Sequence, residues 1–400
     1  MSRRIPSLRP SARKAYSRER PSPWAKPSRS ATTWKQRRSD TFRRKEMEEK
    51  ISICVIGAGL SGLVCAYKLA QAGFRVQVVE QQSTPGGMLA CSRLGSEYIE
   101  LLPHHIRKSD RALIALLKDL GLSDELSWYD SLWYGKASRK KLGYLDNGFH
   151  SLLSALVQEI TDRGGIIQYG YTVSDISQSE DPERPRYRVQ CVLADSSSIF
   201  LECDTILYTG SCRNLVHITH ALNMPTDFRD SLMDVTYQAN MCLLMLMKAP
   251  FTECYSRQIP GEDPFQRIIQ HTSMVGERRY GGHVLYLSGS FLTSAPLWTA
   301  SDADVFKAFF KKLQYMNPSV TRGSVRTWRL TRTRYAKPLN HPLDEFIQPV
   351  EGLYVCSLAM TPSPIEDSKF RMDACVSQAN ATVAKIKEDF SREKELDKEV

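Results

Sequence analysis

The stretch that decides the fold is ISICVIGAGLSGLVCAYKLAQAGFRVQVVEQQSTPGG, residues 51–87. Its first six residues, 51–56, form a short apolar run that predicts a buried parallel strand. Apolar residues then recur at helical spacing from about Leu60, which predicts an amphipathic helix that ends at Gly73. Residues 74–79 predict a second strand, so the whole stretch is typical of one βαβ unit.

A glycine motif lies between this first strand and the helix. Such a turn needs one glycine for its tight bend, one where a pyrophosphate approaches the backbone, and one where the helix packs on the sheet. The free N–H groups at the helix N-terminus also attract phosphates. The pattern therefore predicts a dinucleotide-binding turn, and its residues are Gly57, Ala58, Gly59, Leu60, Ser61 and Gly62.

An acidic residue, Glu80, stands at the end of the second predicted strand. A carboxylate at this place accepts hydrogen bonds from ribose hydroxyls and repels a 2′-phosphate. The ligand is therefore expected to be FAD or NAD rather than NADP.

Two later features favour FAD over NAD. A second glycine pair follows Glu80 in Pro85-Gly86-Gly87, where an NAD site has no need for one, whereas the long path of FAD requires close backbone approach. The apolar run TILYTG, residues 205–210, ends in Thr-Gly, which is typical of flavoproteins at the place where the chain passes the FAD. Beyond the turn and Glu80, the predicted FAD contacts are Gln81, Gly86, Gly87, Met88, Thr209 and Gly210.

The rest of the chain predicts a mixed α/β protein. Helices are predicted at 109–120, 152–160, 301–315 and 372–390, and residues 123–146 are expected to be irregular. A run of strands between 166 and 208 is expected to form a small meander beside the parallel sheet. Further strands are predicted at 236–248, 283–289 and 351–360.

These stretches together resemble the FAD-dependent amine oxidase superfamily, in its protoporphyrinogen oxidase and phytoene desaturase branch. The resemblance covers roughly residues 50–387, and its most specific part is residues 54–90. Three less specific stretches add to it: HHIRKSDRALIALLKDLGL, LGYLDNGFHSLLSALVQEITDRGG, and RTRYAKPLNHP followed by EGLYVCSLAM.

The resemblance implies a Rossmann-like FAD-binding domain, a parallel sheet with a β-meander, into which a mixed α+β substrate domain is inserted. It also implies that Val173 meets the adenine through its backbone and that the loop after Met360 lies near the flavin ring. The predicted segments are a basic tail 1–46, FAD-binding parts 47–135, 136–210 and 346–390, a substrate domain 211–345, and a charged tail 391–400.

The sequence departs from this family pattern at several places, of which two bear directly on cofactor and substrate binding. The last strand of the family usually ends in a polar pair such as Gly-Asp, whereas the matching residues here are Cys356-Ser357-Leu358. The family usually carries a long helical cap before the stretch LGYLDNGF, and here residues 133–146 cross that gap directly. Because the cap normally walls the substrate pocket or touches a membrane, its absence bears on substrate binding more than on FAD binding.

No catalytic pair stands out, as is common where the cofactor carries the chemistry. The weak candidates are His104 and His105, since a neutral imidazole near a flavin can move a proton, and Lys337, which could hold a water near the flavin. Solvated or hydrogen-bonded roles are the simpler interpretation of all three. No metal-ligand spacing is present among the ten cysteines, which are expected to be reduced thiols.

The net charge of +10 is concentrated at one end of the chain. Residues 1–46 hold fifteen Lys or Arg and three acids, so the remainder carries −2 and gives no reason to expect nucleic acid. The basic segment is expected to be disordered, and three interpretations stay open: a transit peptide, a nucleic-acid or membrane-surface arm, or upstream sequence read as protein before Met47.

The predicted partner is a small-molecule substrate. No apolar run approaches the roughly 20 residues of a membrane span, although peripheral membrane contact stays open, as does the oligomeric state. The predicted location is the cytoplasm, or an organelle if residues 1–46 are a transit peptide.

The predicted function is FAD-dependent two-electron oxidation of an organic substrate by hydride transfer to the flavin. Three alternatives stay open. The first is a non-redox flavoenzyme resembling UDP-galactopyranose mutase, which would need arginines and tyrosines gathered on a sugar diphosphate. The second is an FAD-binding protein that lost catalysis with its cap. The third is a nucleic-acid-binding protein that acts through its basic arm.

Overall fold

The computed structural model describes residues 51–136, 139–181, 184–261, 264–340, 347–360 and 372–399, and the predicted basic tail 1–46 lies outside them. The helices of the described part are α1 Leu60–Gln71, α2 Arg111–Asp119, α3 His150–Asp162, α4 Cys212–Ile218, α5 Thr226–Asp234, α6 Thr272–Val275, α7 Pro296–Thr299, α8 Asp302–Met316 and α9 Met372–Glu399. The strands are β1 Ser52–Ile56, β2 Arg75–Glu80, β3 Cys91–Leu94, β4 Glu97–Glu100, β5 Leu126–Ser131, β6 Lys140–Leu145, β7 Ile166–Tyr169, β8 Thr172–Gln178, β9 Tyr187–Val192, β10 Ser198–Cys203, β11 Thr205–Tyr208, β12 Tyr237–Met247, β13 Ser256–Gln258, β14 Arg267–Gln270, β15 His283–Phe291, β16 Val325–Pro338 and β17 Leu353–Val355.

A parallel sheet forms the first layer, with strand order β17-β11-β1-β2-β7. All five residues of β1 are buried, which explains why the four that follow Ser52 are all apolar. The chain leaves β1 toward β2 and β7 and later returns to the other side of β1 with β11 and β17. This reversal next to β1 is the topological switch point at which open α/β sheets bind ligands.

The two faces of this sheet are covered differently. Helices α1, α3 and α9 contribute apolar side chains to the larger core on one face. On the other face, the antiparallel meander β10-β9-β8 packs together with α4 and α5. The predicted α/β class with a meander beside the parallel sheet is confirmed.

A second sheet has the antiparallel order β13-β14-β15-β12-β16. The odd-numbered side chains of β12, such as Leu243 and Met245, pack against α8 through Val305 and Phe309. The opposite face of the same strands joins the larger core through Leu244 and its neighbours. The predicted strands at 236–248 and 283–289 and the helix at 301–315 are therefore confirmed within one or two residues at most boundaries.

Three predicted features are wrong. Residues 123–146 are not irregular, because β5 and β6 form an antiparallel hairpin there. Polar and apolar residues do not alternate along β6, because its last four residues are all buried. The sequence pattern therefore did not predict this strand. The strand predicted at 351–360 is limited to β17, and a single 3₁₀ turn at Leu358–Met360 follows. Helix α9 also runs past the predicted end near 390, supported by the i,i+4 ion pair of Glu388 with Arg392.

Helix α1 approaches β1 so closely that no side chain fits between them. A Cβ on Gly62 would lie 2.0 Å from the carbonyl oxygen of Gly57 and 2.9 Å from Thr209 Oγ1. The Thr209 hydroxyl in turn donates a hydrogen bond of 2.9 Å to the carbonyl of Ile56, which ties the end of β11 to the end of β1. The third glycine of the motif is therefore required by packing alone.

A buried polar network joins the first layer to the second sheet. The Glu100 carboxylate accepts hydrogen bonds of 2.7 Å from the hydroxyl of Tyr144 and from the backbone N–H of Phe149. The Tyr286 hydroxyl of β15 donates to the Glu100 carbonyl at 2.7 Å. Nearby, His271 is 1% exposed, and burial, helped by the charge of Arg279, lowers its pKa to about 3.

Replacing Gly62 with alanine is expected to destabilise the protein by about 3 kcal/mol, because the added methyl group overpacks a site whose neighbours are backbone atoms. The matched control is Gly323→Ala. Its Cβ would have a single neighbour, Thr321 Oγ1 at 3.6 Å, and a change within about 0.5 kcal/mol is expected. Urea denaturation of both variants without added cofactor measures the difference. Equal stability of the two variants would show that the helix does not pack as described.

The buried His271 is expected to make stability fall in acid. Because its native pKa is depressed below the usual value of about 6.5, the unfolded chain takes up a proton that the native protein does not. Stability is thus fully present above about pH 6.5 and declines by about 1.4 kcal/mol per pH unit below it, down to about pH 3. His271→Gln should flatten the acid limb of urea-unfolding free energies by this slope, whereas His217→Gln, at an exposed site, should not. An unchanged slope in His271→Gln would contradict the depressed pKa.

Candidate active site

The three glycines of the first turn have separate structural roles. Gly57 adopts φ +107°, a left-handed conformation that favours glycine, and its N–H donates to the Val79 carbonyl at 2.8 Å. A Cβ on Gly59 would meet no atom within 4 Å, so this position opens onto free space. Together with the packing at Gly62, these positions match the three roles of glycine in a dinucleotide turn: the tight bend, the open approach for a pyrophosphate, and the close packing of the helix.

The second glycine pair lies directly beside the first turn. The N–H of Gly86 donates to the Ala58 carbonyl at 2.8 Å, and Gly59 and Gly86 form a parallel bridge. Gly86 and Gly87 both have positive φ, at +119° and +56°. A Cβ on Gly87 would lie 3.2 Å from the Gly59 Cα, so the two glycine turns together form one backbone cradle.

The Glu80 carboxylate stabilises this cradle through two backbone hydrogen bonds. One carboxylate oxygen accepts the Ala58 N–H at 2.8 Å and the other accepts the Gln82 N–H at 2.8 Å. The side chain is buried, at 6% exposure. Each carboxylate oxygen has a further lone pair, so ribose hydroxyls can still be accepted.

A cavity of about 640 Å³ opens above the carboxyl ends of the parallel strands. Of the predicted FAD contacts, it brings together Gly59, Leu60, Ser61, Gly62, Gln81, Gly86, Gly87, Met88, Thr209 and Gly210. The predicted contacts that are not part of its described lining are Gly57, Ala58, Glu80, Val173 and Met360.

These remaining residues fall into two groups. Gly57, Ala58 and Glu80 hold the turn in shape, as described above. Val173 lies on β8 and Met360 is buried, and both pack in the core of the meander. The loop after Met360, which the family resemblance brings near the flavin, lies outside the described residues.

The sequence did not predict a further wall of this cavity. Residues 331–335 of β16 line it, together with Tyr237 of β12 and Cys375 of α9. The one available signal was the alternation of Trp328, Arg329, Leu330 and Thr331, which is typical of an edge strand with one polar face.

The residues fit a flavin dinucleotide. The cradle is formed by backbone that has no side chain in the way at Gly59, and it faces the N-terminus of α1, where N–H groups and the helix dipole favour phosphate. The volume lies within the range of about 300–1,000 Å³ typical of cofactor and ligand sites.

A second cavity of about 350 Å³ adjoins the first, and Met88, His104 and Met372 belong to the walls of both. His104 is held by its Nε2, 3.0 Å from the Met88 carbonyl oxygen. Because a carbonyl only accepts, Nε2 carries the hydrogen in the neutral ring and Nδ1 stays an acceptor. Burial lowers the pKa of His104, which keeps the imidazole neutral near pH 7.

The other two candidate residues for catalysis line only the second cavity. His105 Nδ1 lies 3.0 Å from the Tyr255 hydroxyl. Lys337 is half-buried on β16, opposite Gln238 of β12. The structure thus gathers all three candidates around the second cavity, and His104 stands at the border with the first.

The described residues form neither a metal-binding cluster nor a membrane-spanning helix. No group of three or more His, Cys, Asp or Glu residues in the described part is arranged to hold a metal ion. No helix in these ranges has both the length and the apolar character needed to cross a bilayer.

The parallel sheet and its glycine cradle define a dinucleotide-binding protein of the Rossmann-like class. Residues 55–120 match the model of the NAD(P)-binding Rossmann-like domain, and residues 126–363 match that of flavin containing amine oxidoreductases. Because the second match covers more than half of the chain, the chain belongs to the flavin containing amine oxidoreductase family. The predicted superfamily and the predicted cofactor, FAD, are confirmed.

Individual relatives match over limited segments. An L-amino-acid oxidase of Sistrurus catenatus edwardsii is 29% identical over 131 residues, 32% of this chain and 22% of that protein. A thiamine thiazole synthase of Thermotoga maritima is 46% identical over 46 residues, 12% of this chain and 18% of that protein. The chain therefore spans about a fifth of the length of the curated relatives it matches.

Solved structures match over most of the chain and show the fold. A protein assigned as a protoporphyrinogen oxidase from Exiguobacterium sp. 255-15 has a TM-score of 0.67 at 14% identity, over 85% of this chain and 99% of that one. A putrescine oxidase with bound putrescine has a TM-score of 0.63 at 12% identity, over 84% of this chain and 99% of that one.

Replacing Gly59 with alanine is expected to weaken FAD binding at least tenfold, about 1.4 kcal/mol, because the methyl group would occupy the space of the cradle. The backbone at Gly59, with φ −69°, accepts alanine, so the cofactor-free protein should lose no more than about 1 kcal/mol as a helix cap is weakened. Flavin fluorescence titration of the apoprotein measures the affinity, with Gly323→Ala as the control variant. Unchanged affinity in Gly59→Ala would show that FAD does not use this cradle.

Proposed function

We propose that this protein is an FAD-dependent oxidoreductase that removes two electrons from a small organic substrate. The observation that carries the proposal is the pair of adjoining cavities. The first is built on the glycine cradle, and the second shares Met88, His104 and Met372 with it. A cofactor in the first cavity would therefore meet a substrate in the second across these shared residues.

FAD, when bound, supplies the chemistry by accepting the two electrons as a hydride. The chain's own residues bind and orient the reactants. The glycine cradle and the N-terminus of α1 would hold the phosphates. Glu80 fixes the turn through the N–H groups of Ala58 and Gln82, and its remaining lone pairs would accept ribose hydroxyls. The predicted cofactor contacts, including Val173 and Met360, remain part of this proposal.

His104 is the residue that we assign to proton movement. Its Nε2–H is engaged by the Met88 carbonyl, which orients the ring and leaves Nδ1 as the acceptor of a residue that lines both cavities. The lowered pKa means that this nitrogen is unprotonated near neutral pH. A substrate proton released as the hydride leaves can therefore be taken up by His104.

The alternatives differ in what they require. A protein that lost catalysis with its cap would bind FAD without a substrate site, yet the described residues enclose a second cavity with no cap. A non-redox mutase-like enzyme would need arginines and tyrosines around a sugar diphosphate. The second cavity offers Arg107 and Arg267, whereas its described lining contains no tyrosine. Oxidation is therefore the function favoured by the site.

We also propose that the protein works in a reducing compartment, and the predicted location is the cytoplasm. The support is chemical: all ten cysteines lie in the described ranges and are free thiols. The domain division at residues 211 and 345 remains part of the proposal as well, supported by the second sheet, whose strands fall between Tyr237 and Pro338.

The test is to purify the full-length chain, record its visible absorption spectrum, and identify the nucleotide that denaturation releases. An oxidised-flavin spectrum with FAD released is expected. Anaerobic mixing with a substrate panel should then bleach the flavin, and oxygen or another acceptor should restore it. A folded, colourless protein that cannot be loaded with added FAD would overturn the proposal.

His104→Gln refines the same experiment. This variant should retain FAD but bleach at least tenfold more slowly, because a glutamine cannot take up the proton. The control, His217→Gln, changes an exposed histidine away from both cavities and should bleach like the wild type. Equal bleaching rates in both variants would remove His104 from the mechanism.

A further inference from the structure

One face of the second sheet changes character along its strands. The even-numbered side chains Leu244 of β12 and Tyr286 of β15 belong to the apolar core. Further along the same face, Asn240 and Ser288 line the second cavity instead. Asn240 donates to Ser288 Oγ at 3.0 Å, so these two polar groups are already paired with each other.

Three cationic side chains, Arg107, Arg267 and Lys337, line this cavity. Arg267 stands on β14 between Gln258 of β13 and Ser288 of β15, and Lys337 stands on β16. Arg107 reaches the cavity from the opposite wall, the segment 102–110 that follows β4. All three are half-buried.

These charges lack acidic partners in the described part of the chain. No described carboxylate oxygen lies within 4.0 Å of the charged nitrogens of Arg107, Arg267 or Lys337. The acid in the described lining is Asp110, and its carboxylate accepts the backbone N–H of Arg107 at 2.8 Å at the start of α2.

The cations also affect one another. Burial lowers the pKa of Arg267, the nearby Tyr255 opposes this, and the charge of Arg107 lowers it further. Half-buried like charges are unfavourable unless an opposite charge joins them. An anion bound between them would relieve this repulsion and form charge-assisted, geometrically specific hydrogen bonds to the guanidinium groups.

We propose that the second cavity binds the substrate through an anionic group held between Arg107, Arg267 and Lys337, so that the substrate is a small organic anion. This inference rests on the proposed function, because it assigns the substrate class for the cavity beside the FAD site. At about 350 Å³ the cavity lies near the lower end of the range of ligand sites, which suits a small molecule.

Other substrate classes fit this cavity less well. A cationic amine would be repelled by three positive charges and would find one carboxylate, Asp110, that already accepts the backbone N–H of Arg107. An apolar substrate would strip water from the charged and amide side chains of the wall without replacing their hydrogen bonds. The amides of Gln238 and Gln258 instead suit the oxygen atoms of a polar anion.

The experiment uses the full-length chain and a matched series of four-carbon probes: succinate, succinamide and putrescine, which carry two negative charges, none and two positive charges. Isothermal calorimetry measures binding whether or not flavin is present. In the flavin-loaded protein, binding should also shift the visible flavin spectrum, because the cavities share Met88 and His104. Methyl phosphate, added as a fourth probe, distinguishes a phosphate-bearing from a carboxylate-bearing ligand.

Succinate or methyl phosphate is expected to bind at least tenfold more tightly than succinamide, and putrescine should bind most weakly. Arg267→Gln and Arg107→Gln should each weaken anion binding about 10- to 100-fold, as expected for lost charge-assisted hydrogen bonds. Arg326→Gln is the control, because it removes an exposed arginine of the same strand as Lys337. A rising salt concentration should also weaken anion binding, because it screens the charges.

The outcomes separate this inference from the proposed function. If FAD binds and the flavin can be bleached, but all three four-carbon probes bind alike or Arg326→Gln matches Arg267→Gln, the anionic substrate is overturned and the oxidoreductase stands. If anions bind with the expected charge dependence but no FAD binds, the cavity assignment is supported and the redox function fails.

Discussion

The contact between the start of α1 and the end of β1 is the constraint on which the rest of the structure depends. A Cβ at Gly62 would lie 2.0 Å from the Gly57 carbonyl, so the helix and strand touch through backbone alone. The Thr209 hydroxyl lies in the same contact and binds the Ile56 carbonyl at 2.9 Å. Helix position, strand order and the free N–H groups of the turn are thus set at one place.

The glycine cradle of the first cavity follows from that contact. The Ala58 N–H donates to the Glu80 carboxylate, and the Ala58 carbonyl accepts the Gly86 N–H. Both polar backbone groups of Ala58 are therefore hydrogen-bonded within the protein. The free space above Gly59 exists because its neighbours leave no side chain there. A binding site formed by backbone tolerates sequence change around it, in keeping with a solved structure that shares this fold at 14% identity.

The sequence predicted what local chemistry determines. Each of these residues meets a local requirement of the backbone that a sequence pattern reveals without knowledge of distant neighbours: the glycines at 57, 59 and 62, the acid at 80, and the glycine pair at 86 and 87. Features that depend on distant partners could not be predicted in this way. The burial of the last four residues of β6 hides any alternation, and residues 331–335 line the cavity because β16 pairs with β12 nearly a hundred residues earlier.

The second cavity shows the same limit more sharply. Arg107 and Arg267 are 160 positions apart and belong to different sheets or their connections, so no spacing rule brings them together. A pattern was nevertheless present within β12, where even-numbered residues run from Gln238 and Asn240 to Leu244. A strand that is apolar along half of one face and polar along the other half indicates two environments, although it does not identify the second.

The geometry of the second cavity bears on the role of the cap that the related family usually carries. Apart from Met88 and Met372, the described walls of the second cavity come from the segment 102–110 and from the second sheet. The buried contacts of Glu100 with Tyr144 and Tyr286 hold these elements together. A substrate site built on these elements does not need a cap for its charges to converge. A cap would therefore bear on how ligands enter the cavity and how well water is excluded, whereas the positive charge of its wall comes from Arg107, Arg267 and Lys337.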